Sequence, residues 1–216
     1  MKIEKKIVIV EDHPVFRMGM SELINQEEDL DVCAWADNVT DAWNEISRLK
    51  PDLVIVDITL KNSDGLELVR NLKKYHKNIP VLVLSMHQES LFAERSVMAG
   101  AKGYIMKQEA PALVVTAIRK VLAGKLYFSN AIMEKLVLSF TSSSAEHAHS
   151  SPVDRLTQRE FEVFKMLGQG LKTRQIAEQL NLSIKTIGTY RERIKEKLNI
   201  KDANELLMYA VTWERV

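Results

Sequence analysis

Five short apolar runs, rich in β-branched residues, recur along the first half of the chain, at 6–10 (Lys-Ile-Val-Ile-Val), 32–36, 53–56, 81–84 and 103–106. Apolar residues at successive rather than alternating positions suit strands covered on both faces. Between these runs the apolar positions fall at helical spacing, from Val15 to Ile24, Val39 to Leu49, Leu66 to Tyr75, and over 90–99 and 110–123. Five β-α alternations predict an α/β domain over 4–125, a doubly wound five-stranded parallel sheet with helices on both faces. A linker region, 126–151, follows. Residues 129–140 carry the spacing of one amphipathic helix, and the serine-rich stretch 141–151 has no large apolar residue and reads as a flexible connection. From 152 to 216 only helical spacing remains, at about 157–168, 172–180, 184–197 and 202–212, which predicts an all-α four-helix domain. Thr157 and Glu160 stand in capping-box spacing at its first long helix.

Composition alters this picture little. Of 216 residues, 46% are hydrophobic and 27% charged, as in an ordinary globular chain. No apolar run approaches the roughly 18 residues of a membrane span, and the short, acid-terminated start does not resemble a signal peptide. A cytoplasmic protein with no membrane partner is expected. The single cysteine, Cys33, reads as a small buried residue of a strand. His147 and His149, with no third ligand nearby, read as solvated linker residues. Net charge is +1 overall, but residues 152–216 carry +3 and the remainder −2. That asymmetry is compatible with nucleic-acid binding at the C-terminal end.

The chemistry lies at the strand ends. A doubly wound sheet binds ligands beyond the carboxyl ends of its strands, where strand order reverses. With order 2-1-3-4-5, that crevice lies between strands one and three. Strand one runs into Glu11-Asp12, strand three into Asp57, strand four into Ser85 and strand five into Lys107. Three crowded carboxylates repel one another and call for a cation. An oxygen-only ligand set suits Mg²⁺, with the backbone carbonyl of Thr59 able to complete the shell. Lys107 and the Ser85 hydroxyl are placed to hold phosphoryl oxygens.

This layout resembles the receiver domain of two-component response regulators. The flanking words match as well: Ile-Val-Glu-Asp-His-Pro at 9–14, Asp-Gly-Leu-Glu-Leu at 64–68 and Ala-Gly-Ala-Lys-Gly-Tyr-Ile-Met-Lys at 99–107. The resemblance implies that Asp57 is the phosphoacceptor, that Glu11, Asp12 and Asp57 bind Mg²⁺, that Ser85 and Lys107 sense the phosphoryl group, and that Tyr104 is the switch aromatic. Leu60-Lys61 stands where receivers often have Met-Pro, so a more mobile loop is expected there. Met86 is bulkier than the alanine common beside the serine, so altered autodephosphorylation is expected. An enzyme of the haloacid dehalogenase type also uses a strand-end aspartate, but it needs a second acid two residues on, where this chain has Thr59. A scaffold that has lost its switch is the remaining alternative, and the retained five polar residues argue against it.

In the C-terminal domain, Ile176, Ala177 and Leu180 mark the buried face of one helix. After the turn Asn-Leu-Ser, the residues Ile187, Ile194 and Leu198 mark that of the next, which Ser183 can cap. The second helix is basic on its other face, giving a helix-turn-helix. Leu-Thr-Gln-Arg-Glu-Phe-Glu-Val at 156–163, Ile-Ala at 176–177 and Ser-Ile-Lys-Thr-Ile at 183–187 resemble the LuxR-type domain of NarL/FixJ regulators. By that resemblance Lys185, Gly188, Thr189 and Glu192 face bases, while Lys172, Thr173, Thr186, Tyr190 and Arg193 suit phosphates. Tyr190 replaces a frequent histidine. The last helix, with its surplus of apolar residues, is expected to share intradomain packing with a dimer contact.

The resulting expectation is a DNA-binding response regulator that a sensor histidine kinase phosphorylates on Asp57, with control of dimerisation and transcription. Its partners are then the kinase, double-stranded DNA, a second copy of the chain and, as a further candidate, RNA polymerase. No enzymatic turnover of an outside substrate is expected, only self-phosphorylation and autodephosphorylation.

Overall fold

The computed structural model describes residues 4–60, 63–86, 89–134 and 152–214. The chain divides into two compact units, Met1–Ser143 and Ser144–Val216. In the first, strands β1 (Lys5–Val10), β2 (Leu30–Ala36), β3 (Leu53–Asp57), β4 (Val81–Ser85) and β5 (Gly103–Met106) form one parallel sheet in the order β2-β1-β3-β4-β5. This is the predicted order. Helices α1 (Pro14–Asn25), α2 (Val39–Leu49), α3 (Gly65–Tyr75), α4 (Glu89–Ala99) and α5 (Ala110–Leu122) connect the strands. α1 packs against α5, and α3 against α4. Strands β3 and β4 are buried along their whole length, as is β1 from Ile7 onward, because helices cover both faces.

Strand β2 departs from the expectation of burial. As the edge strand it keeps only Leu30 and Ala36 buried, Trp35 is exposed, and Cys33 is half-buried. At the opposite edge, residue 127 extends the sheet. The Tyr127 amide donates to the Lys102 carbonyl at 2.9 Å, and the Tyr104 amide donates to the Tyr127 carbonyl at 2.8 Å. A helical stretch follows at 130–134. The rest of the helix predicted over 129–140 and the stretch 141–151, with His147 and His149, lie outside the described residues, as does Lys61.

The second unit opens with a 3₁₀ turn, Pro152–Arg155, and continues with α6 (Gln158–Gly168), α7 (Thr173–Gln179), α8 (Ile184–Leu198) and α9 (Ala203–Glu214). The capping box is formed: the Glu160 amide donates to Thr157 Oγ1 at 3.3 Å, and the Thr157 amide to Glu160 Oε2 at 2.8 Å. Two of the N-terminal amides that every helix leaves without an intrahelical acceptor are thereby satisfied. The core joins Phe161, Phe164 and Leu167 to Ile176, Ile187, Ile194 and Leu206. Trp213 meets Phe161 edge-on with centroids 5.4 Å apart, and Phe164 at 5.7 Å, so α9 is anchored to α6 by aromatic contact.

Candidate functional site

Beyond the carboxyl ends of β1 and β3 the chain gathers Glu11, Asp12, His13 and Asp57. One ligand atom from each lies within 4.8 Å of all the others. Glu11 and Asp57 are buried, and Lys107, directly after β5, is buried with them. Its Nζ lies 2.8 Å from Asp57 Oδ2 and 2.5 Å from Glu11 Oε2. The other Asp57 oxygen, Oδ1, accepts from the Thr59 amide at 2.8 Å. Lys107 is itself positioned by its backbone, since its amide donates to the Ser85 carbonyl at 2.7 Å. Ser85, fully buried, ends β4 beside this pair.

The electrostatics follow from packing charges out of water. Burial pushes the Asp57 carboxyl above its ordinary value; the Lys107 ammonium opposes that rise and the Glu11 carboxylate adds to it. Burial works against the Lys107 ammonium, yet Asp57 and Glu11 hold its pKa above the usual lysine value. The result is a crowded acidic cluster, buried at Glu11 and Asp57, half-buried at Asp12 and exposed at His13, with the Lys107 ammonium held inside it. Its carboxylate oxygens fit a hard, oxygen-seeking divalent ion. His13 Nδ1 lies 3.0 Å from Glu11 Oε1 and 2.9 Å from Asp12 Oδ1, bracing both carboxylates from the outer side.

Backbone shape fixes where Asp57 sits. α3 starts so close to the end of β3 that a Cβ on Gly65 would lie 2.1 Å from the Asp57 carbonyl oxygen and 2.7 Å from Ile58 Cα. Asp64 caps that helix by accepting from the Leu66 amide at 3.0 Å.

In the second unit, α7 and α8 pack through Ile176, Ala177, Ile187 and Ile194, all buried, with Leu180 and Leu198 half-buried. The turn between them passes through Asn181 in the left-handed region, φ 53°. Ser183 caps α8, its Oγ accepting from the Thr186 amide at 3.0 Å. Lys185, Thr186, Thr189, Tyr190 and Arg193 line one open groove along α8. Gly188 and Glu192 lie on the neighbouring flank, where Glu192 pairs with Lys195 at 2.8 Å. Lys172 is exposed just before α7, and Thr173 accepts from Arg191 at 2.7 Å, tying the two helices together.

Two family profiles match the chain: the response regulator receiver domain over residues 7–119, and the bacterial regulatory proteins of the luxR family over 154–210. The response regulator GacA of Pseudomonas aeruginosa is 37% identical over 206 residues, covering 95% of each chain. The oxygen regulatory protein NreC of Staphylococcus carnosus is 30% identical over 209 residues, covering 95% of this chain and 96% of NreC. The chain belongs to the NarL/FixJ family of two-component response regulators. Among solved structures, a LuxR-family two-component response regulator from Aurantimonas sp. SI85-9A1 is similar with a TM-score of 0.58 and 33% identity, over 63% of this chain and 98% of that one. The RcsB response regulator of Salmonella typhimurium shares the fold, with a TM-score of 0.56 and 24% identity over 98% and 100% of the two chains.

In this response regulator the structure brings together Glu11, Asp12, Asp57 and Lys107, with Ser85 at the neighbouring strand end. Tyr104 is buried within β5, with its backbone amide bound to Tyr127. Thr59 meets the site through its amide. Phe16 and Arg17 also reach the site, and His13 and Gly65, present in the motifs at 9–14 and 64–68, take up positions there that the motifs alone do not assign. Lys107 Nζ lies 4.9 Å from the Phe16 ring centroid, and Arg17 donates to the Glu11 carbonyl at 2.8 Å. His13 directly follows the acidic pair, which was the available signal; Phe16 and Arg17 reach the site only through the pitch of α1.

Proposed function

We propose that the regulator is switched by phosphorylation of Asp57 and that the switch controls its dimerisation and its sequence-specific action at promoters. The observation that supports this best is the buried Asp57 carboxylate held between the Lys107 ammonium and the Thr59 amide, beside Glu11. An Asp57 oxygen attacks the phosphorus of a phosphohistidine on the sensor kinase. The P–N bond breaks, its electron pair returns to the imidazole, which takes a proton from solvent, and an acyl phosphate remains on Asp57. Glu11, Asp12, Asp57 and the Thr59 carbonyl would hold Mg²⁺, which when bound would supply charge neutralisation for the phosphoryl oxygens. Lys107 shifts its ion pair from the carboxylate to the new phosphoryl group, and the Ser85 hydroxyl donates to the same oxygens. The chain turns over no outside substrate; its catalysis is confined to its own phosphorylation and autodephosphorylation.

The change then reaches the opposite side of β4 and β5. Tyr104, buried and tethered to Tyr127, is the residue through which movement of Ser85 would reach the chain leading to the second unit. Exposed Leu207 and Met208 on α9 offer an apolar surface for a second copy. Lys172, Thr173, Lys185, Thr186, Gly188, Thr189, Tyr190, Glu192 and Arg193 form the face that meets double-stranded DNA, by analogy with the DNA complex solved for RcsB. RNA polymerase is the further partner at promoters. Among the described residues no helix is long and apolar enough to cross a membrane, and action in the cytoplasm accords with DNA as the target.

A thermal-shift titration tests the metal part. Mg²⁺ at about a hundred times its Kd should stabilise the wild type by about 2.7 kcal/mol. The same ion should leave Asp12→Asn nearly unmoved. Equal stabilisation of both proteins would remove the acidic pair from the metal shell.

A further inference from the structure

Lys107 has to keep its place through a change of partners. Its ammonium is held by Asp57 Oδ2 at 2.8 Å and Glu11 Oε2 at 2.5 Å. Both oxygens belong to the carboxylates that fit a divalent ion. An ion seated there competes with the ammonium for them and repels it. Phe16 offers a contact of a different kind, one that the ion does not take. Lys107 Nζ stands over its ring, 4.9 Å from the centroid, and Lys107 is buried. A cation within about 6 Å of an aromatic face is attracted by the ring quadrupole, most strongly where water is excluded. The ring is itself well placed to act as a fixed support. Phe16 packs against the core of the first unit. The next residue, Arg17, pins the first turns of α1, because its guanidinium donates to the Glu11 carbonyl at 2.8 Å and lies 3.9 Å from the Trp35 ring centroid.

We infer that Phe16 is a positioning residue for phosphoryl transfer: its ring holds the Lys107 ammonium beside Asp57 when a divalent ion occupies the carboxylates. This role rests on the proposed phosphorylation of Asp57. Packing alone would be met by any apolar side chain of similar size at position 16, whereas holding a cation needs the negative face of an aromatic ring. Fluorine on the ring withdraws electron density from that face and leaves the ring apolar and close to its original shape, so the two roles separate.

The test uses the full chain with the native ring at position 16, with that ring mono-, di- and pentafluorinated, and as Phe16→Leu and Phe16→Tyr. Two readouts are taken with Mg²⁺ present: the unfolding equilibrium in a double-mutant cycle of Phe16→Leu with Lys107→Met, and the rate of phosphorylation by a small acyl phosphate. A cation–ring contact in a desolvated site is worth about thirtyfold in an equilibrium constant, and the cycle should return a coupling of that order. Phosphorylation should slow in step with fluorination, fall furthest in Phe16→Leu and return in Phe16→Tyr, which keeps the aromatic face. Should Lys107→Met fail to fold, the fluorinated series, whose members keep every charge, decides alone. Phosphorylation rates that ignore fluorination, or a coupling near unity, would reduce Phe16 to packing and overturn the inference. A wild type that takes no phosphoryl group defeats the phosphorylation reading itself, and this role with it.

Discussion

As the proposed nucleophile, Asp57 carries two opposed demands, since a nucleophile must be charged and a buried carboxylate resists charge. Its pKa is raised, first by burial, so its ionised form destabilises the folded chain. The sign is therefore that stability held below the unfolded aspartate value is lost as pH rises through the higher folded value. Asp57→Asn removes this penalty while leaving Lys107 paired with Glu11. In the absence of divalent ions the variant should melt a few degrees above wild type at neutral pH, and the gap should close as the medium becomes acidic. Melting curves of the two proteins across that range check it; a variant that melts lower at neutrality would contradict it. Met86 is exposed and directly follows Ser85, which closes β4. Shortening it in Met86→Ala should change the decay rate of the phosphorylated protein by admitting water more freely, and identical decay of the two would exclude a shielding role.

At the scale of elements, the site depends on how tightly α3 returns over the end of β3. Gly65→Ala would drive a methyl group into the Asp57 carbonyl, so it should destabilise the first unit toward the upper end of about 1–3 kcal/mol and displace the phosphoacceptor. Chemical unfolding gives the first effect, and slowed phosphorylation by a small acyl phosphate the second. The strands and the polar residue closing each one were legible in the sequence. Runs such as Leu-Val-Ile-Val ending in Asp57 join burial on both faces to an abrupt change of polarity, and a parallel sheet aligns such endings on one side. Other features depend on distance in space. The order 2-1-3-4-5 already puts β2 at the edge, but nothing in Leu-Asp-Val-Cys-Ala-Trp-Ala shows how far the helices leave it uncovered, so the half-burial of Cys33 and the exposure of Trp35 are visible only in the structure. Likewise the grip of His13 on both carboxylates depends on the first turn of α1. The pairing of Tyr127 with β5 depends on where α5 releases the chain. Helix limits in the second unit were readable within a residue or two, because Thr157 and Ser183 are caps with a local mechanism.

For the whole molecule, the account joins an acidic phosphoryl-transfer site in one unit to a basic helix surface in the other. If the proposed coupling is a population shift, phosphorylation alters DNA affinity only as far as the phosphorylated state favours the dimer. A dimer on paired half-sites places two α8 helices on one duplex, and their affinity should fall steeply with salt as phosphate contacts release counterions. The most direct test exposes the wild type and Asp57→Asn to a small acyl phosphate with Mg²⁺, and then measures, on the same samples, the modified residue, the molecular mass in solution and the Kd for a selected duplex at one salt concentration. The account predicts one phosphoryl group on Asp57, a shift from monomer to dimer and tighter binding in the wild type, with none of these in the variant. Phosphorylation of the wild type that left both mass and affinity unchanged would contradict it.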